Sequence, residues 1–162
     1  MTAQFHNLFR HNGKEYSIVA HGSGLFQPAD FQLSPIPAST ACWLGYLTLY
    51  TTLDSHLMLD TLWANLREPT GPAINGITPS GRAKRYTMFN NVYKNLNLPM
   101  AYTGGITIAT DFIQELYEHM GFHPAWKYRI VIELMFENGK WIHELDRSED
   151  MAQYRLTMQK KK

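Results

Sequence analysis

Only one cysteine, Cys42, occurs in the 162 residues. An internal disulfide is therefore impossible, which excludes a disulfide-stapled secreted module and favours a reducing compartment. No apolar run approaches the roughly 18 residues of a membrane span. The stretch from Met1 to Arg10 lacks the charged-then-apolar layout of a signal peptide. These absences predict a cytoplasmic protein with no membrane partner. Charged residues are scarce, 18% of the chain against a usual ~25%. The net charge is only +1, far from the strongly basic surface that a binder of long nucleic acid needs. The best-known catalytic signatures are missing too: no GxxxxGKS/T, GxGxxG, GxSxG or HExxH, and no CxxC pair.

What is present suits one globular domain over residues 1–162. A chain of this size hides roughly 70% of its unfolded surface on folding and needs neither disulfides nor a metal to hold a core. Aromatic residues make up 13% of it, so the composition is far from disordered. The small net charge hides blocks. Residues 1–68 carry −2, residues 69–110 carry +4 with no acid at all, residues 111–150 carry −5 and residues 151–162 carry +4. The last block includes a lysine tail at 160–162, expected to fray.

Two Asn-Gly steps between alternating patterns predict tight hairpins. Asn12-Gly13 joins residues 5–11 to 14–20, and pairing outward sets Arg10 opposite Glu15 and Phe9 opposite Tyr16. Asn138-Gly139 joins residues 126–137 to 140–146, with Tyr128, Ile130, Ile132, Leu134 and Phe136 sharing a face with Trp141, His143 and Leu145. Residues 42–52 and 57–66 predict another pair of strands around Asp54-Ser55. Residues 21–41 and 69–85 are rich in Gly and Pro and predict long connections, which are often functional. Helical spacing over Tyr86–Leu96 and a capping-box arrangement, Asp111 with Gln114, predict two short helices. Residues 106–109 read as a brief strand, and alternation over 152–159 predicts a last one. The expected fold is α+β: a mainly antiparallel, β-rich single domain of about eight strands, a curved sheet or half-barrel, with one or two short helices.

Three constellations carry chemical interest. Glu115 and His119 lie four apart on the expected helix, and His123 comes after the Gly121 turn, a set of ligand types for a divalent cation. No fourth ligand is evident, and neither a metal nor another cofactor is expected. In the second hairpin, plain alternation sets Glu133 opposite Glu144 with Asp146 diagonal, a like-charge cluster needing compensation, with Arg129 nearest. The third joins the acid-free block to residues a little further along the chain. Arg82, Lys84 and Arg85 suit phosphate oxygens, Tyr102 offers a stacking face, and Thr103 and Gly104 bring backbone N–H groups near an anion. His123, Trp126 and Lys127 repeat the stacking-plus-cation theme. Cys42, among apolar neighbours, reads as a buried inert thiol.

Together these features predict a non-enzymatic protein that captures a small anionic ligand, including a nucleotide-derived one, in a pocket. Self-association is compatible with it. No catalytic residue is assigned. Two other classes stay open: a metal- or carboxylate-dependent hydrolase or transferase acting on a phosphorylated small molecule, and an inhibitor- or immunity-type interaction module using the acidic 111–150 surface.

Overall fold

Both Asn-Gly turns form, and the sheet grows outward from them. The computed structural model describes residues 2–161. Strands β1 (Leu8–His11) and β2 (Lys14–His21) flank Asn12-Gly13 in the expected register, Phe9 opposite Tyr16 and Arg10 opposite Glu15. Strands β3 (Tyr46–Leu53) and β4 (His56–Ala64) meet through Asp54-Ser55. Two short strands, β5 (Asn91–Tyr93) and β6 (Leu98–Pro99), pair with β4. Strand β7 (Gly104–Phe112) precedes the second hairpin of β8 (Tyr128–Glu137) and β9 (Lys140–Asp146), and helix α1 (Ser148–Gln159) comes last. Between β2 and β3 lies the long connection that the sequence implied, with one 3-10 turn at Pro28–Phe31. The fold is α+β, with nine strands in a mostly antiparallel sheet and one α-helix among the described residues.

The sheet curves further than a half-barrel. Its order β3-β1-β2-β7-β8-β9-β4 returns to its start because β3 also pairs with β4, making a ring of seven strands. An odd ring of otherwise antiparallel strands must contain one parallel pair, and β1 with β3 supplies it, Leu8 opposite Leu49. One edge of β4 runs along β3, while its other edge meets β9 at His56, β6 at Met58 and Leu59, and β5 from Leu62 to Ala64.

Inside the ring, Phe9, Ile18, Tyr50, Leu59, Ile108 and Phe136 belong to one buried cluster. Each such apolar side chain contributes about 1.5–3 kcal/mol relative to an exposed one. Because side chains alternate along a strand, the opposite face of β3 and β4 presents Leu47, Leu49 and Trp63, and Phe89 and Val92 cover them. A third cluster unites Ala109, Tyr128 and Val131, with Met151 of α1 packed against it.

Three expected elements take other forms. Residues 86–96 are not helical: Tyr86 and Asn95 have φ of 57° and 55°, which a right-handed helix forbids, and Val92 pairs with both Trp63 and Ser80. Over residues 111–120 the capping box loses to the β7 ladder. Phe112 pairs with Tyr128 and the Ile113 N–H donates to the Lys127 carbonyl at 2.9 Å, so only Gln114–Leu116 makes a 3-10 turn. Conversely, residues 152–159 are helix rather than strand. Met, Ala, Gln, Arg and Leu are good helix formers, and Glu149 and Asp150 suit the first turn. Asp146 Oδ1 accepts the Ser148 N–H at 2.8 Å, and Arg155 ties the helix to the Trp126 and Tyr128 carbonyls, each at 2.8 Å. Lys160 and Lys161 complete the last turn through backbone bonds of 3.2 and 3.3 Å, and Lys162 of the expected frayed tail lies outside the described residues.

Strand β9 departs from plain alternation. Phe136 pairs with Trp141 but Met135 pairs with His143, so Ile142 is an extra residue, a β-bulge. From there on, each β9 residue shows the opposite face from the expected one. Glu144 comes opposite Leu134, and Leu145 opposite Glu133. His143 and Leu145 therefore leave the core face, contrary to the sequence reading. No helix among the described residues is long and apolar enough to cross a membrane.

The turn at Gly139 welds the ring. Its carbonyl accepts the Leu57 N–H and its N–H donates to the Tyr102 carbonyl, both at 2.8 Å, while the Trp141 N–H reaches Ser55 at 2.8 Å. Gly139 has φ +85° and a Cβ there would stand 2.5 Å from the Met100 carbonyl oxygen. Gly139→Ala is expected to cost about 1–3 kcal/mol of stability, read as a lower urea midpoint at unchanged slope.

Candidate ligand-binding sites

The acid-free block builds a basic depression. Arg82, Lys84 and Arg85 line it together with Lys94, and the floor includes Trp63 and Val92. Its volume is about 460 Å³, within the ~300–1,000 Å³ of small-molecule sites. All four cations are exposed. Arg85 is the most constrained. It makes a bidentate pair with Glu15 of β2, one arm at 3.0 Å and the other shorter, and it donates to the Tyr86 hydroxyl at 2.8 Å. Its guanidinium also lies over the Tyr86 and Trp63 rings, 4.7 and 5.8 Å from their centroids. The Arg85 hydrogen bonds hold the Glu15 carboxyl below its usual range. Arg82 donates to the Thr87 carbonyl at 2.6 Å. Among the described residues, Lys84 and Lys94 have no ionic partner. Lys94 counts among the four cations of the acid-free block but not among the expected ligand residues, and the sequence reading does not place Trp63 in a site. Trp63 arrives through its pairing with Val92, a contact of long sequence separation.

The other expected ligand residues sit elsewhere. Tyr102 is 1% exposed in the ring interior, where its hydroxyl donates to the Gly105 carbonyl and accepts the Gly22 N–H, both at 2.7 Å. That ring is a strut between two loops and offers no open stacking face. Thr103 Oγ1 accepts the Asn138 N–H at 2.9 Å, and Gly104, φ +137°, leaves room for the Tyr102 hydroxyl. These are turn-supporting roles. Lys127 is 2% exposed, its Nζ 3.0 Å from Glu118 and 3.5 Å from His123 Nδ1. His123 is buried against Phe112 and Tyr117. Trp126 packs toward Tyr154 of α1. The second stacking-plus-cation set is thus a core-edge cluster, and Lys127 is taken up by an internal pair.

The two acid-bearing constellations separate as well. Without the expected helix, Glu115 and His119 do not converge on His123, and among the described residues no group of three or more His, Cys, Asp or Glu stands together to hold a metal. The bulge parts Glu133 from Glu144. Glu133 takes Arg147 at 3.2 Å, not Arg129, which pairs with Asp111 at 3.4 Å. Glu144 instead reaches His11, 3% exposed, at 2.5 Å, and the His11 ring stands edge-on to Trp141. Cys42 is buried, as expected, and burial pushes its thiol pKa up, away from the reactive thiolate form.

A further pocket escaped the sequence reading. At one end of the ring, near the N-terminal segment, a cavity of about 460 Å³ is lined by His6, Ile18, Phe26, Tyr46, Tyr50 and Phe122, among others. The N-terminal segment is held there by backbone bonds, Gln4 to Gly121 at 2.8 Å and Phe5 to Ala41 at 2.9 Å. No local spacing signals this site, because its lining residues come from segments far apart in the chain that meet only in the closed ring.

With this geometry in view, comparison with known proteins adds nothing: no family model, no curated protein and no solved structure matches the chain.

Burial, first of all, pulls the His6 and His123 pKa values below the ordinary 6.5, helped by their mutual proximity for His6 and by the Lys127 charge for His123, with Glu118 opposing. Below pH 6.5 the unfolded chain then binds more protons than the folded one. Stability is fully present above that pH and falls as pH drops toward the depressed native values. Urea unfolding at pH 7.5 and 5.5 is expected to show this loss, and His6→Gln is expected to shrink it.

Proposed function

We propose that the chain binds a small anionic molecule in the basic depression. The observation that carries this reading is the convergence of Arg82, Lys84, Arg85 and Lys94 around one concavity that no acidic residue lines, Arg85 alone of the four being in an ion pair, with Glu15. Uncompensated cations in a concave site raise the local concentration of anions. Arginine and lysine match phosphate oxygens, so a phosphorylated small molecule is the preferred class. A nucleotide-derived ligand remains within the proposal through its phosphates. Support for base stacking is weaker, because Trp63 and Tyr86 already carry Arg85 on their faces. The reading is non-enzymatic and includes a reducing, cytosolic setting, supported by the lone buried thiol.

Calorimetric titration with pyrophosphate, ATP and cyclic AMP at low and high salt tests it. Binding of pyrophosphate and ATP is expected to weaken with salt, and Lys84→Glu with Lys94→Glu is expected to lower affinity at least tenfold. Both lysines are exposed, so the thermal midpoint is expected to stay within a few degrees. Absence of heat, or affinity indifferent to the double reversal, overturns the reading.

A further inference from the structure

Half of the large apolar side chains that stand exposed gather around one residue, Gln4. Phe5, Trp43, Leu44, Met120 and Phe122 are between 43% and 61% exposed and come from three separate segments. Gln4 ties those segments together. Its N–H donates to the Gly121 carbonyl at 2.8 Å, its Nε2 donates to the Thr40 carbonyl at 2.8 Å, and its Oε1 accepts the Trp43 N–H at 3.0 Å. Phe5, Leu44 and Phe122 then line one shallow hollow beside it. These side chains form a patch set in place by hydrogen bonds, and contiguous exposed apolar surface of this kind marks an interaction site. A patch fixed in advance also loses little freedom when it is covered.

Charge decides what fits there. Residues 2–9, 31–53 and 119–126, the stretches that supply the patch, contain no Asp, Glu, Lys or Arg, although such residues make up 18% of the chain. Glu118 and Lys127, which flank the third stretch, pair with each other at 3.0 Å. Depletion of charge with enrichment in Trp, Phe and Met is the composition of an interface core. A strongly acidic or basic partner finds no counter-charge on this face. A second copy of the chain meets it with no like charges opposed, so the patch is complementary to itself, and a two-fold axis needs only one such patch. The area agrees. Five side chains of this size, each about half exposed, present roughly 500–600 Å². A standard interface takes about 800 Å² from each partner, of which about 65% is apolar in homodimers. Thr2 and Thr40, whose hydroxyls bond at 3.2 Å, stand beside Gln4 as part of a polar rim.

We propose that this face is the contact of a symmetric homodimer, patch packed on patch across a two-fold axis. The cations of the basic depression lie outside the three stretches, so the dimer and the anion site stand or fall separately.

Sedimentation velocity of the full chain from about 1 to 200 μM tests the proposal. A monomer–dimer equilibrium is expected, with a dissociation constant that changes little between low and high salt because no charges face each other. Trp43→Glu and Met120→Glu, on exposed positions of two different segments, are each expected to weaken the dimer at least a hundredfold, since a two-fold contact brings every substitution in twice. Both variants are expected to keep the wild-type circular dichroism spectrum and thermal midpoint. Ile142→Glu, an equally exposed apolar residue on β9, and Lys84→Glu with Lys94→Glu are expected to leave the dimer intact. A monomer throughout the concentration range, a dimer that survives either patch variant, or one lost equally on Ile142→Glu would overturn the proposal.

Discussion

The parallel contact between β1 and β3 is the constraint on which the molecule depends. β1 has only four residues, yet it bonds β2 on one side and β3 on the other. Through it, the first hairpin and the β3–β4 hairpin become one surface, and the ring can close. Closure leaves few free sheet edges and gives one buried interior instead of two half-covered faces. It also sets the N-terminal segment beside residues 44–50, and the Gln4–Gly121 backbone bond then holds the loop at 122 at the same rim.

Much of this frame was legible in the residues. The two Asn-Gly turns were certain landmarks because both central positions need positive φ, and counting outward from them gave the Phe9–Tyr16 and Arg10–Glu15 pairs. The β3–β4 strands were visible in their aromatic and branched content. Two of the failures had tertiary causes. The Asp111 capping signal and the helical spacing of Tyr86–Leu96 were real local preferences, and strand pairing with Tyr128 and with Trp63 overrode them. The alternation over residues 152–159 was read as strand although its composition suits a helix, because period alone does not separate a short exposed helix from an edge strand.

The site was legible to a similar, partial degree. A run of 42 residues without an acid is a sequence-level fact, and the fold does gather its four cations. Which aromatics would accompany them was not legible. Tyr102 and Trp126 are near in sequence to the basic run or to His123, but proximity in sequence says nothing about which side of a closed sheet a ring occupies. Arg85 shows a subtler point. Its strongest partner, Glu15, comes from the first hairpin rather than from the acidic 111–150 block, so the basic loop is tied to the ring by a charge that segment counting assigned to a different neighbourhood.

Ile142 bears on how the chain tolerates changes of length. As the bulged residue it has no ladder partner, and it is exposed. Deleting it would join His143 directly to Trp141 while every later pair, Leu134 with Glu144 and Ile132 with Asp146 included, stayed in register. The local kink would go, and the faces would not change. Position 142 is thus a point where the gene can lose a codon and the sheet keep its inside and outside, whereas the same loss within β8 would turn part of a core strand over.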